Sequence, residues 1–112
     1  MNYFNVKYLP EALHFIEAQE TKARNKILYN VSLSSQVKDA NLFKKLTDEI
    51  WEFRTLYSKS YYRLLAFWDK DQKAMVVCTH GFEKKKSKTP KNEIARAEHF
   101  RELYFENNRK EK

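Results

Sequence analysis

The chain has 112 residues, 42% hydrophobic and 15% aromatic, and carries a formal net charge of +7. That length supports one hydrophobic core and not two, so residues 1–112 are expected to form a single domain, and one Gly with two Pro leaves little room for linkers or disorder. The charge favours an anionic partner such as nucleic acid or an acidic protein, while the sequence carries no membrane-length apolar run, signal-peptide pattern or lipidation motif, so a cytoplasmic protein with no membrane role is expected.

In chain order, the alternation of Phe4, Val6 and Tyr8 against Tyr3, Asn5 and Lys7 predicts a first strand. Pro10 opens a short helix, "PEALHFIEAQ". Thr21 is placed to cap a second, "KARNKILYNVSLSSQV", whose apolar side runs through Ala23, Ile27, Leu28 and Val31. The two are expected to form a hairpin with a loop of one or two residues. "DANLFKKLTDE" reads as a loop with a short strand or turn around Lys44 to Leu46. Three strand candidates follow, "IWEFRTLY", "YYRLLAFWD" and "KAMVVCTHGF", separated by the turns "SKS" and "DKDQ". Loops this short imply antiparallel neighbours. Thr89 as N-cap and Pro90 at the first position then start a helix with an apolar stripe through Ile94, Ala97, Phe100, Leu103 and Tyr104. The plan is α+β: a twisted antiparallel sheet, with helices expected on one face.

Chemistry-bearing residues concentrate in the second half. Arg54 lies on the strand face opposite Trp51 and Phe53, either as an ordinary exposed polar residue or as a guanidinium held rigidly for phosphate. Arg63 stands in a very apolar segment, where a cation needs a reason: a cross-strand ion pair with Glu52, or a cleft floor shared with Arg54. His80 shares strand parity with Val76 and Cys78, which suits a partly buried structural imidazole, yet it sits near a strand end where acid–base work is within reach. Lys84, Lys85, Lys86, Lys88 and Lys91 place five positive charges in eight residues with no acid among them, and the run ends at a helix start. It is either a solvated loop or part of an anion-binding face. His14, His80 and His99 are isolated, so no metal site is expected, and Cys78 reads as a buried small hydrophobe. Phosphate-loop, nucleophile-elbow and helix-turn-helix signatures do not occur.

Taken in order, "IWEFR", "YYRLLAF" and "THGFEKKKSKTPKNEIARA" resemble the phage-derived Gp49-like (HigB-type) toxins of the RelE/ParE superfamily, and the resemblance covers almost the whole chain. It implies a RelE-like fold with an N-terminal helical hairpin and a C-terminal helix. It also implies a type II toxin–antitoxin toxin acting as an mRNA endoribonuclease (mRNA interferase) on the translating ribosome. The implied partners are mRNA, the bacterial ribosome and a cognate HigA-like helix-turn-helix antitoxin, with no small-molecule cofactor. Carried over residue by residue, Arg54 and Arg63 fall on the family's strand arginines, and His80, Lys84 and Lys85 on its H-G-F-x-K-K motif, although Glu83 replaces the apolar residue often found there and Lys86 and Ser87 vary the loop. The resulting expectation is a catalytic set of Arg54, Arg63 and His80, with Lys84, Lys85, Lys86, Lys88 and Lys91 binding RNA. Alternatives are a ParE-like inhibitor of DNA gyrase without nuclease activity, or a non-enzymatic basic nucleic-acid-binding module.

Overall fold

The structure, a computed structural model, describes residues 2–85 and 88–110. Among these, the order is β1 (Asn5–Tyr8), α1 (Pro10–Glu17), α2 (Thr21–Ser34), β2 (Phe43–Lys45), β3 (Trp51–Tyr57), β4 (Ser60–Trp68), β5 (Met75–Lys84) and α3 (Lys91–Lys110). The strands form one sheet in the order β1-β5-β4-β3-β2. From β2 to β5 every neighbour is antiparallel, as the short turns require, but β1 lies parallel to β5, pairing Val6 with Val76 and Tyr8 with Cys78. The sheet is therefore mixed at one edge. Joining the first strand to the last is a long-range pairing that no loop length signals.

The turns match their sequences. Between β3 and β4, Ser58 and Lys59 both take positive φ, 50° and 69°, as a two-residue hairpin turn demands. Between β4 and β5, the Asp69 carboxylate accepts from the Asp71 backbone N–H at 2.9 Å and from the Tyr104 hydroxyl at 2.7 Å, which ties the turn to α3. Pro10 is the first residue of α1, while Thr21 is the first helical residue of α2 and Glu20 its cap position.

Helices cover both faces, not one. Leu64 and Ala66 of β4 pack with Ala12, Ile16, Ala23, Ile27 and Val31 of the α1–α2 hairpin, while Leu65 and Phe67 pack with Ala97, Tyr104 and Phe105 of α3. A strand with large apolar residues on both sides needs cover on both sides. Phe67 meets Tyr104 and Phe105 with ring centroids 5.3 and 5.5 Å away. Cys78 is fully buried on the hairpin side, and burial pushes its thiol pKa up, so it packs as a hydrophobe and is chemically quiet. No helix among the described residues is long and apolar enough to cross a membrane.

A register break in β5 decides what faces α3. His80 pairs with Leu65 but Cys78 pairs with Ala66, leaving Thr79 as the bulged extra residue. That insertion turns His80 off the face it would share with Cys78 and onto the α3 face.

The one glycine of the chain, Gly81, lies opposite Leu64, where the ring of Phe15 from α1 presses on the strand so closely that a Cβ would overlap it. Gly81→Ala is expected to lower stability by about 1–3 kcal/mol through overpacking, read as a shift of the urea unfolding midpoint. An unchanged midpoint would show that α1 yields at no cost.

Candidate functional site

The α3 helix covers only part of its sheet face. Beyond it, β3, β4 and β5 carry Arg54, Leu56, Tyr61, Arg63, Phe82 and Lys84 on the same side, because Arg54 pairs with Arg63, Leu56 with Tyr61, Phe82 with Arg63 and Lys84 with Tyr61. Two arginines directly opposite on adjacent strands repel at a Cβ separation of about 5 Å. The carboxylate of Glu52, 3% exposed, holds them together: Oε2 lies 3.4 Å from Arg54 Nε and Oε1 lies 3.5 Å from Arg63 Nε. The expected Glu52–Arg63 ion pair is thus present, and Arg54 shares it. Two guanidiniums on one carboxylate leave the cluster with a net positive charge.

Each arginine has a distinct setting. Arg63 is 2% exposed, with its guanidinium over the Tyr61 ring at 5.1 Å. Burial lowers its pKa, Glu52 opposes that shift, and Arg54 adds to it; a guanidinium nonetheless stays charged at neutral pH. Arg54 keeps 23% of its side chain exposed, and its Nη1 donates to the Ala40 carbonyl at 3.5 Å. Arg63 is the floor of the site and Arg54 its accessible cation.

Thr89 joins the lysine segment to this cluster. Its hydroxyl donates to Glu52 Oε1 rather than capping α3. Pro90 takes the cap position instead, its carbonyl accepting from Glu93 and Ile94 N–H at 3.1 and 3.3 Å. A long-range carboxylate therefore replaces the local cap expected from the Thr-Pro pattern.

The described lysines lie around the open end of the face. Lys84 Nζ donates to the Lys88 carbonyl at 3.4 Å, and Lys85 Nζ donates to Ser60 Oγ at 2.7 Å while lying 3.8 Å from Glu83. Lys88 lines a groove of about 400 Å³ with Lys44, Lys45, Glu52, Arg54 and Thr89. Lys91 is exposed at the start of α3, and Lys86 lies outside the described residues. Lys44 and Lys45, on the short edge strand β2, were not singled out by sequence reasoning. The adjacent "KK" was visible, but its nearness to Arg54 depends on β2 pairing with β3.

His80 is not brought to this surface. It is 1% exposed under α3, its Nε2 3.2 Å from Glu93 Oε1 and its Nδ1 2.9 Å from Thr79 Oγ1. The carboxylate partner favours the Nε2–H tautomer, and the Thr79 hydroxyl beside Nδ1 also donates to the Leu65 carbonyl at 3.2 Å. Burial first, and then Arg96, push its pKa down, while Glu93 and Glu11 oppose the shift. A ring so placed fastens α3 to the sheet and does not reach the open face.

A family model described as phage-derived protein Gp49-like (DUF891) matches residues 14–102, from α1 through most of α3. The chain belongs to this family. The sheet and helices of this Gp49-like protein also match a chain of the intact E. coli RelBE toxin–antitoxin complex, with a TM-score of 0.50 and 18% identity over 76% of this chain and 99% of that one. At that identity the likeness speaks to fold, and the fold is RelE-like. Among characterised proteins no sequence matches.

Two outcomes follow from the Gp49-like site. Glu52→Gln is expected to cost about 3 kcal/mol or more, since it leaves paired guanidiniums without their buried counter-ion; chemical denaturation measures this, and a loss within error of zero would mean solvent already screens the pair. For His80, the unfolded imidazole takes up a proton near pH 6.5 while the folded one resists until lower pH. Stability therefore falls as pH drops below about 6.5. The melting temperature of the wild type should drop more between pH 7 and pH 5 than that of His80→Asn, and parallel curves would exclude His80 as the source.

Proposed function

We propose that this Gp49-like protein is the toxin of a type II toxin–antitoxin pair and that it cleaves mRNA on the bacterial ribosome without a metal ion. The observation that carries the reading is the Arg54–Arg63 pair, held on one carboxylate at the mouth of a lysine-lined groove. Such a cluster keeps a surplus positive charge preorganised where a phosphodiester can reach it. Family membership and the RelE-like fold agree with it.

Cleavage by the neighbouring 2′-hydroxyl has three requirements: loss of the hydroxyl proton, stabilisation of charge on the pentacoordinate phosphate, and a proton for the leaving oxygen. The chain's cations serve the second. Arg54 contacts the scissile phosphate, Arg63 raises the local field from the floor, and Lys84, Lys85, Lys88 and Lys91 hold flanking phosphates or ribosomal RNA. A preorganised donor aimed at developing charge is worth about a hundredfold or more in rate. Phosphate contacts position the strand, and the 2′-hydroxyl requirement selects RNA. The partner is a cognate HigA-like antitoxin, and the setting is the cytoplasm.

A second reading is favoured by one observation, the burial of His80, which leaves the open face without an imidazole. On that reading the same cationic face binds without cutting, as a gyrase inhibitor or a nucleic-acid-binding module. Inducible expression in bacteria, with mRNA 5′ ends mapped before growth stops, separates the two. New ends in frame with codons support cleavage on the ribosome; arrest without new ends but with lost supercoiling supports the gyrase reading.

Arg54→Ala is expected to fold and to reduce cleavage by about a hundredfold. Full toxicity of that variant would remove Arg54 from the mechanism. Arg63→Lys is the matched variant for the floor, because Arg63→Ala would unbalance the buried Glu52 and confound activity with folding.

A further inference from the structure

Arg54 separates two hollows of different chemistry. On one side lies the groove with Lys44, Lys45 and Lys88, whose lining has no aromatic ring. On the other lies a pocket of about 240 Å³ formed by Asn41, Arg54, Thr55, Leu56, Tyr61 and Arg63. Tyr61 and Leu56 are opposite each other on β4 and β3, so a flat ring and an aliphatic side chain stand side by side next to the two guanidiniums. Leu56 is 57% exposed, although its strand has covered apolar positions available on its other face. The Arg63 guanidinium lies 5.1 Å from the Tyr61 ring centre and steadies that ring.

A bare phosphate needs cations and donors and gains nothing from Tyr61 or Leu56. A nucleotide needs both, because its base presents a π-face and its phosphate a charge. Bases of single-stranded RNA stack on aromatic side chains and on arginine planes. We propose that the Tyr61–Leu56 pocket receives one unpaired nucleobase of a single-stranded RNA whose adjoining phosphate sits on Arg54, so that the strand continues into the lysine groove. The inference rests on the reading of this face as an RNA surface and adds to it a stacking subsite beside the phosphate site.

The test uses the full chain and short 2′-O-methyl RNA oligonucleotides, which cannot be cut, against matched oligonucleotides with abasic positions and the same number of phosphates. Wild type should bind the base-bearing strand about tenfold or more tightly than the abasic one. Tyr61→Ala should lose most of that ratio while keeping the salt dependence of binding, and Tyr61→Phe should keep both. Leu56→Ala, at an exposed position that the fold does not need, should reduce the ratio by a smaller factor. Equal wild-type affinity for the two strands, or an undiminished ratio in Tyr61→Ala, overturns the stacking subsite. Because the probes resist cleavage, the two readings fail separately. New mRNA ends without base discrimination retain the nuclease and remove the pocket, whereas base discrimination without new ends retains the pocket and removes the nuclease.

Discussion

The bond between Glu52 and two arginines is the constraint around which the open face is built. Opposed guanidiniums on neighbouring strands would push the strands apart or turn to solvent; one carboxylate, with an oxygen toward each, holds both in place. The arrangement is costly to desolvate and a weak stabiliser for that cost, which agrees with the role proposed for it. A Leu or Met at position 63 would suit its apolar neighbours at lower cost. What the cluster supplies is a positive field fixed in direction, with Arg54 at its exposed edge.

That field depends on the seating of α3. Thr89 donates to Glu52 just before the helix begins, His80 engages Glu93 within its first turn, and Tyr104 engages Asp69 nearer its other end. Each contact joins α3 to a different strand or turn of the sheet. The bulge at Thr79 is what makes the middle contact available, since an unbroken β5 would aim His80 into the hairpin side beside Cys78. One inserted residue therefore converts an imidazole from core filler on one face into a fastener on the other. Displacing α3 would loosen the carboxylate that organises the arginines, so helix packing and site geometry are one equilibrium.

Much of this is legible in the amino-acid sequence. Alternation located β3, apolar runs bounded by turns located β4 and β5, the Pro10 signal located α1, and the cleft-floor reading put Arg54 and Arg63 on one face. Those features are local, or need only a short hairpin. The features that escaped are long-range. Parallel pairing of β1 with β5 joins the ends of the sheet, Thr89 bonds a residue 37 positions away, and Lys44 and Lys45 approach Arg54 only through β2 pairing. The depth of Arg63 escaped for a related reason: the apolar content of Leu65 and Phe67 was visible, but the helix that covers them follows a segment whose charge pointed to open solvent. His80 was misplaced by parity because a bulge leaves no mark in a run such as "VVCTHGF".

The lysine run itself completes the argument. Pairing of β5 ends at Lys84 opposite Tyr61, Lys85 reaches Ser60 at the β3–β4 turn, and the chain returns through Lys88 and Thr89 to Glu52. The segment therefore leaves from one side of the arginine pair and comes back to the other. Stability alone argues against that path, because like charges raise the energy of a compact cluster that already holds uncompensated charge. The fifteen acidic residues of the chain could have shielded the run, yet none lies between Lys84 and Lys91. A solvated loop would need no return to Glu52 and no bond from Thr89. Charge placed against its own electrostatic preference, then fastened there, is what the proposed RNA-binding role of this face calls for.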